Sequence, residues 1–179
     1  MPTPAAIGNA RSYNAVAKIL HWTIAVLIVL QLVIGWTMPD VHKGTRPDGE
    51  IGWHVTVGVL IVVLVAARVL WRGLQPPAGD SGERGWMRIA ASGTHGLLYL
   101  LMVIVPVLGW INAGSRDWVV GIGPLQLPRL AAAGSRFGHD MGDVHGTLAV
   151  VLAVLIGLHV AAGLYHQFIL RDGTLRRML

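Results

Sequence analysis

The sequence predicts an all-α integral membrane protein, an up-and-down bundle of four transmembrane helices, and three observations carry that reading. Of its 179 residues 54% are hydrophobic and only 13% are charged, far from the balance of soluble domains, in which about a quarter of residues carry charge. The apolar residues are also bunched: 19–39, 51–67, 89–115 and 144–170 contain no Asp, Glu, Lys or Arg. Crossing a hydrocarbon core of ~30 Å takes ~20 helical residues, so each run is long enough or nearly so. Finally, the charges between the runs are sorted by side. Arg11, Lys18, Arg68, Arg72, Arg84, Arg88, Arg171, Arg176 and Arg177 fall on one side against Asp80, Glu83 and Asp172. Lys43, Arg46, Arg116, Arg129 and Arg136 fall on the other, against Asp40, Asp48, Glu50, Asp117, Asp140 and Asp143. The excess of basic residues on the first side satisfies the positive-inside rule with both termini cytoplasmic.

Taken in order, the first helix is expected over about 14–38, ending at Pro39, whose ring cannot continue a helix and which lacks the amide donor. This run continues to Trp36 and carries a histidine, unlike a cleaved secretory signal, and is read as a mature helix. The second helix is expected over 52–71, followed by a Pro/Gly-rich cytoplasmic loop at 75–85. The third covers 86–113, with a kink expected at Pro106. The loop at 114–142, apolar but rich in Gly and Pro, reads as a cap on the outer face, and the fourth helix covers 143–170. The chain 1–179 reads as a single membrane domain. Backbone polar groups in hydrocarbon must be paired internally, which makes a helical bundle the economical solution. Small residues such as Gly58, Gly96, Gly146, Gly157 and Gly163 suit close approach of helices or of a flat cofactor.

The chain contains no cysteine, which removes disulfides, iron–sulfur clusters, thiolate ligands and covalent haem attachment together. The net charge of +5 is explained by orientation in the membrane, and nucleic acid is not an expected partner.

Chemistry is carried by histidine. Of eight histidines, His21, His54, His95, His145 and His159 lie inside the apolar runs or close to their ends, and His166 sits near the cytoplasmic end of the last one. Ionisable side chains at membrane depth are costly and usually functional. Topology places His21 and His95 near the cytoplasmic face and His54 and His145 near the other. His159 follows His145 by fourteen residues, which is ~21 Å along a helix and ~1400° of rotation, within ~40° of four full turns. One helix thereby offers one imidazole to each half of the membrane on a single face. Two bis-histidine haems would need four such ligands paired at matched depth. On the outer side the pair is His54 with His145; on the inner side His159 pairs with His21 or His95, and depth alone leaves both open. Imidazole at both axial positions makes iron six-coordinate, which suits electron transfer rather than oxygen binding. His42 and His139, beside Lys43 and Asp140, read as solvated loop residues.

The stretches KILHW, WHVTVGVLIVVLVAARVLWR, SGTHGLLYLLMVIVPVLGW and HGTLAVVLAVLIGLHVAAGLYHQF with the closing RDGTLRRM resemble the bacterial cytochrome b561 family over nearly the whole chain. The resemblance implies two non-covalent haems b, held by His21 with His159 and by His54 with His145, and electron exchange with ubiquinone in the bacterial cytoplasmic membrane. Some members of that family are thought to oxidise superoxide at the outer haem, so superoxide or a periplasmic redox protein is the expected donor. His166, seven residues after His159 and hence on the same face, is the foremost quinone-site candidate, as a hydrogen-bond partner and proton path. His95, Arg68 and Arg84 are further candidates, although both arginines also suit headgroup contact and snorkelling. Arg116, Arg129 and Arg136 offer weak steering for an anion, because their loop is near neutral overall. Two other functions compete: a cytochrome b anchor subunit of a dehydrogenase or hydrogenase complex, and a histidine-based metal-ion transporter. The last run lacks carboxylates and the HExxH pattern, which counts against the transporter.

Overall fold

The computed structural model describes residues 12–75 and 85–179. Its four long helices are each apolar enough to cross a membrane, and they form a helical bundle. Helix α1 (Ala15–Thr37) starts at Asn14, whose Oδ1 accepts from the Ala17 amide at 2.9 Å, and stops just before Pro39. Helix α2 (Gly49–Leu74) starts earlier than expected. Gly49 begins it at a φ of +56°, which a residue with a side chain reaches only under strain. Helix α3 (Gly85–Ser115) runs through Pro106 as one element. Helix α4 (Arg136–Tyr165) begins at Arg136 rather than near 143, because the Ser135 side chain caps it by accepting from the Gly138 amide at 3.2 Å. The chain then continues as a five-residue π-helical segment, His166–Leu170, instead of plain α-helix.

Each helix packs on the next in sequence. The contact faces follow the helical period: Ile24 and Ile28 of α1 meet Val57, Ile61 and Val65 of α2, one residue per turn. Leu98 and Leu101 of α3 meet Leu152 of α4 in the same manner. Val26, Val29, Leu30 and Val33 of α1 and Val150, Val154 and Leu158 of α4 are exposed. In water that surface would be untenable; in lipid it is the ordinary solvent-facing side. Trp22 and Trp36, both exposed on α1, are fourteen residues apart, ~21 Å of helix, and set two levels of the amphipathic indole ring on that outer surface.

The two ends of the bundle are closed differently. At one end the start of α1 meets the C-terminal segment: the Tyr13 amide donates to the Arg177 carbonyl at 3.1 Å, and Trp22 Nε1 donates to the Met178 carbonyl at 2.9 Å. This is called the terminal end below, and the opposite one the loop end. At the loop end the long α3–α4 connection folds inward as a cap. Trp118 and Val120 are buried against Ile51 and Ala113, and Trp118 Nε1 donates to the Thr45 carbonyl at 2.9 Å. The connection also contains what an all-helical expectation lacks, a minimal hairpin of β1 (Gly121–Ile122) and β2 (Leu125–Gln126). Its turn is made at Gly123, φ +55°.

Where α3, the cap and α4 converge there is no spare volume. A Cβ at Gly138 would lie 2.7 Å from the Ser115 Cβ, 2.9 Å from the Ala131 Cβ and 3.2 Å from the Ile111 carbonyl oxygen. Gly138→Ala is therefore expected to destabilise the protein by about 1–3 kcal/mol, the usual cost of overpacking. Thermal unfolding in detergent checks it, with Gly134→Ala unsuitable as a control because Gly134 has a φ of +76°. Gly146→Ala, where an added Cβ meets nothing within 4 Å, is the proper comparison.

Candidate functional site

Toward the loop end, α2 and α4 bring His54 and His145 face to face, with ring centroids 5.9 Å apart and planes at 82°. Each ring is backed by a glycine of a neighbouring helix. A Cβ at Gly35 of α1 would stand 3.1 Å from His54 Cε1, and one at Gly109 of α3 would stand 3.1 Å from His145 Nδ1. His145 Nδ1 is 2.8 Å from the Val105 carbonyl oxygen, an arrangement in which Nδ1–H donates and Nε2 keeps its lone pair. The Gln31 amide nitrogen donates to the His54 carbonyl at 2.9 Å. His54 Nδ1 and Gln31 Oε1 are buried without a hydrogen-bond partner in the protein, at a cost of about 1–3 kcal/mol for each such group.

Toward the terminal end, His159 of α4 lies between two partners. Its ring centroid is 6.4 Å from that of His21 and 5.1 Å from that of His95. His95 Nδ1 is 2.7 Å from the Ala91 carbonyl, one turn back on its own helix. The two readings left open by depth are both brought together here. Arg68 of α2 joins the same layer: Nη1 donates to the Ala17 carbonyl at 2.6 Å and Nε to Tyr99 Oη at 3.0 Å. It spans to α1 and α3, so the expectation of a snorkelling or headgroup role for this residue does not hold. Arg84 lies outside the described residues.

A common frame orders both layers. His21 and Gly35, His54 and Arg68, His95 and Gly109, and His145 and His159 are each fourteen residues apart on their respective helices. Fourteen residues keep a side chain on nearly the same helix face and move it ~21 Å along the axis. Every helix therefore contributes one residue to each layer: Gly35, His54, Gly109 and His145 to one, and His21, Arg68, His95 and His159 to the other. Only the α4 spacing is apparent from the histidines alone. Applied to the other helices, the same interval would have picked out Gly35, Arg68 and Gly109.

His166 takes a different course. Its Nδ1 is 2.5 Å from Asp172 Oδ2, and its ring neighbours Tyr165. Asp172 in turn accepts from the Thr174 amide through Oδ1 at 2.9 Å. Arg171 supports this bend with a φ of +52°. His139 is not a loop residue but stands, exposed, in the first turns of α4. Two of the three arginines considered for steering are engaged: Arg129 pairs with Asp117, and Arg116 donates to Asn112 Oδ1 and lies 5.8 Å over the Trp118 ring. Among the described residues no three His or carboxylate groups converge as a directly bound ion would need. The site consists of facing imidazoles.

Residues 12–179 match the family described as prokaryotic cytochrome b561. Cytochrome b562 of Cereibacter sphaeroides is 30% identical over 93% of this chain and 94% of its own length. Cytochrome b561 homolog 2 of Escherichia coli is 28% identical, over 93% of this chain and 90% of its own. The probable superoxide oxidase CybB of Yersinia pestis is likewise 28% identical, over 94% and 96%.

The Asp172 bend gives a pH dependence. Partial burial by itself would raise this carboxyl, but the hydrogen bonds from His166 and Thr174 outweigh it and hold the group below its ordinary 3.8. A depressed carboxylate contributes stability that is complete above the unfolded value and is lost as pH falls through the folded one. Amide exchange protection over 166–179 is expected to persist down to the ordinary carboxylate range and to fail below it. Asp172→Asn should remove that acid transition and leave weaker protection at every pH above it.

Proposed function

Because the chain belongs to the prokaryotic cytochrome b561 family, we propose that it carries electrons through two non-covalent haems b, held by His54 with His145 and by His21 with His159. The donor is a periplasmic one, superoxide being the favoured small molecule, and the acceptor is ubiquinone of the bacterial cytoplasmic membrane. Both termini face the cytoplasm in this reading, so the His54–His145 layer is the outer one.

The observation that carries the proposal is the spacing of the rings. Two imidazoles sharing one iron stand about 6 Å apart centre to centre, given metal–nitrogen bonds of ~2 Å. His54 and His145 at 5.9 Å and His21 and His159 at 6.4 Å suit that requirement, and His95 at 5.1 Å from His159 is too close. The spacing therefore favours His21 over His95, the same choice that the family resemblance implies. The unpartnered Nδ1 of His54 and the glycines behind both loop-end rings fit a flat group held there. When bound, such a group supplies a one-electron iron couple. The residues do the rest: Val105 fixes the His145 tautomer, leaving Nε2 to coordinate. Gly35 and Gly109 leave room for the imidazoles to turn inward.

For the quinone, His166 is the group we assign to proton delivery, with Asp172 holding its Nδ1 so that Nε2 is the exchanging atom. The superoxide assignment leans on a relative that is named a probable superoxide oxidase, since the engaged arginines of the cap offer little steering.

Optical spectra of the purified protein test the proposal. Sharp reduced α and β bands at two haems per chain are expected, with one haem lost in His54→Ala or His145→Ala and both retained in His166→Ala. Slowed quinone reduction should accompany the last change. A protein without porphyrin, or equal haem loss in all three variants, would sink it.

A further inference from the structure

The two layers are alike in their fourteen-residue frame but not in charge. At the position where α1 and α3 carry Gly35 and Gly109 in one layer, α2 carries Arg68 in the other. A guanidinium keeps its proton at every pH a protein survives. Its hydrogen-bond partners, the Ala17 carbonyl at 2.6 Å and Tyr99 Oη at 3.0 Å, orient it without cancelling its charge. Ala17 lies one turn from His21 on α1 and Tyr99 one turn from His95 on α3, so these bonds place the guanidinium in the layer of His21, His95 and His159. The His54–His145 layer carries Gly35 and Gly109 at the matching positions, neither of them a cation.

Resting on the haem-ligand reading above, we infer that Arg68 sets the direction of electron flow by raising the reduction potential of the His21–His159 haem above that of the His54–His145 haem. Reduction takes one electron and lowers the charge at iron by one, so a cation held nearby favours the reduced form. Coulomb interaction falls with distance and with polarisable surroundings. Arg68 belongs to one layer and lies ~21 Å along α2 from the other. It therefore acts on one couple and hardly on its neighbour. An electron that enters at the loop end then moves downhill toward the terminal end, where His166 and Asp172 stand. Tyr99 and Ala17 are positioning groups in this account, since they hold the guanidinium at its depth instead of letting it reach for water.

The test is potentiometric titration of the detergent-purified protein, with both haems followed by their spectra. Arg68→Gln is expected to lower the midpoint of the His21–His159 haem by about 59 mV, a tenfold change in a one-electron equilibrium, and to leave the other nearly unmoved. Arg68→Lys, which keeps the charge, is expected to stay near the parent. Equal shifts of both haems, an unmoved midpoint in Arg68→Gln, or a Lys variant as low as the Gln variant would overturn the inference. An Arg68→Gln protein that does not fold leaves a second measurement. In His54→Ala, which keeps only the haem at the terminal end, the remaining midpoint must match the higher of the two in the parent, and a match to the lower one defeats the inference. A parent protein with no haem defeats the underlying reading instead, and the two failures are distinct.

Discussion

An imidazole inside a hydrocarbon layer has to be partnered, and the architecture follows from that constraint. Water is absent there, and every unpaired polar atom is costly. A single histidine can turn its ring back on its own helix, as His95 does toward Ala91. His54 cannot settle in that way, for its Nδ1 is buried with no protein acceptor. The facing arrangement of His54 with His145 and of His159 with His21 places polar atoms against one another at two depths. It also obliges α1, α2 and α4 to keep a common register. A slip of one residue turns a side chain ~100° around its helix axis, which would carry these rings out of the interior.

The membrane-spanning segments were legible because hydropathy integrates over ~20 residues and tolerates local error. The facing of His145 and His159 toward the interior was legible for a similar reason, since fourteen residues is a nearly whole number of turns. The helix ends were harder. The first turns of α4 contain RFGHDMGD, a polar stretch that no hydropathy window marks as helix, and the Ser135 cap is a local signal of modest specificity. The π-helical segment at His166–Leu170 has no compositional signature. The hairpin at Gly121–Gln126 is too short to show an alternating pattern.

Arg68 shows a different limit. An arginine near the end of an apolar run usually extends its charge toward headgroups while its stem covers apolar surface. The sequence around it, VAARVLWR, suits that habit well. What redirects it is tertiary: a helix carbonyl on α1 and a phenol on α3 lie within its reach. Neither neighbour is close in sequence, so residue type and depth alone pointed to the common outcome. Gly35 and Gly109 were overlooked for the converse reason. Of the small residues that suit close approach, Gly96, Gly146, Gly157 and Gly163 are sites at which an added Cβ meets no protein atom within 4 Å, and one at Gly58 meets Gln31 Nε2 at 3.3 Å. The two glycines that do face histidines are identified by register, not by residue type.

The fourteen-residue interval also accounts for how one bundle can hold two unlike sites. Because the same face of each helix serves both depths, packing between helices is constrained once and not twice. The residue chosen at each depth is then free to vary. On α1 and α3 the choice is histidine at one level and glycine at the other, and on α4 it is histidine at both. On α2 it is histidine against arginine, the substitution that makes the layers electrically unequal. Symmetric geometry with asymmetric charge is what a device needs if it must accept at one surface and release at the other. Identical layers would let an electron rest at either end with equal preference. On the proposed reading, the charge difference would break that tie without a helix having to move.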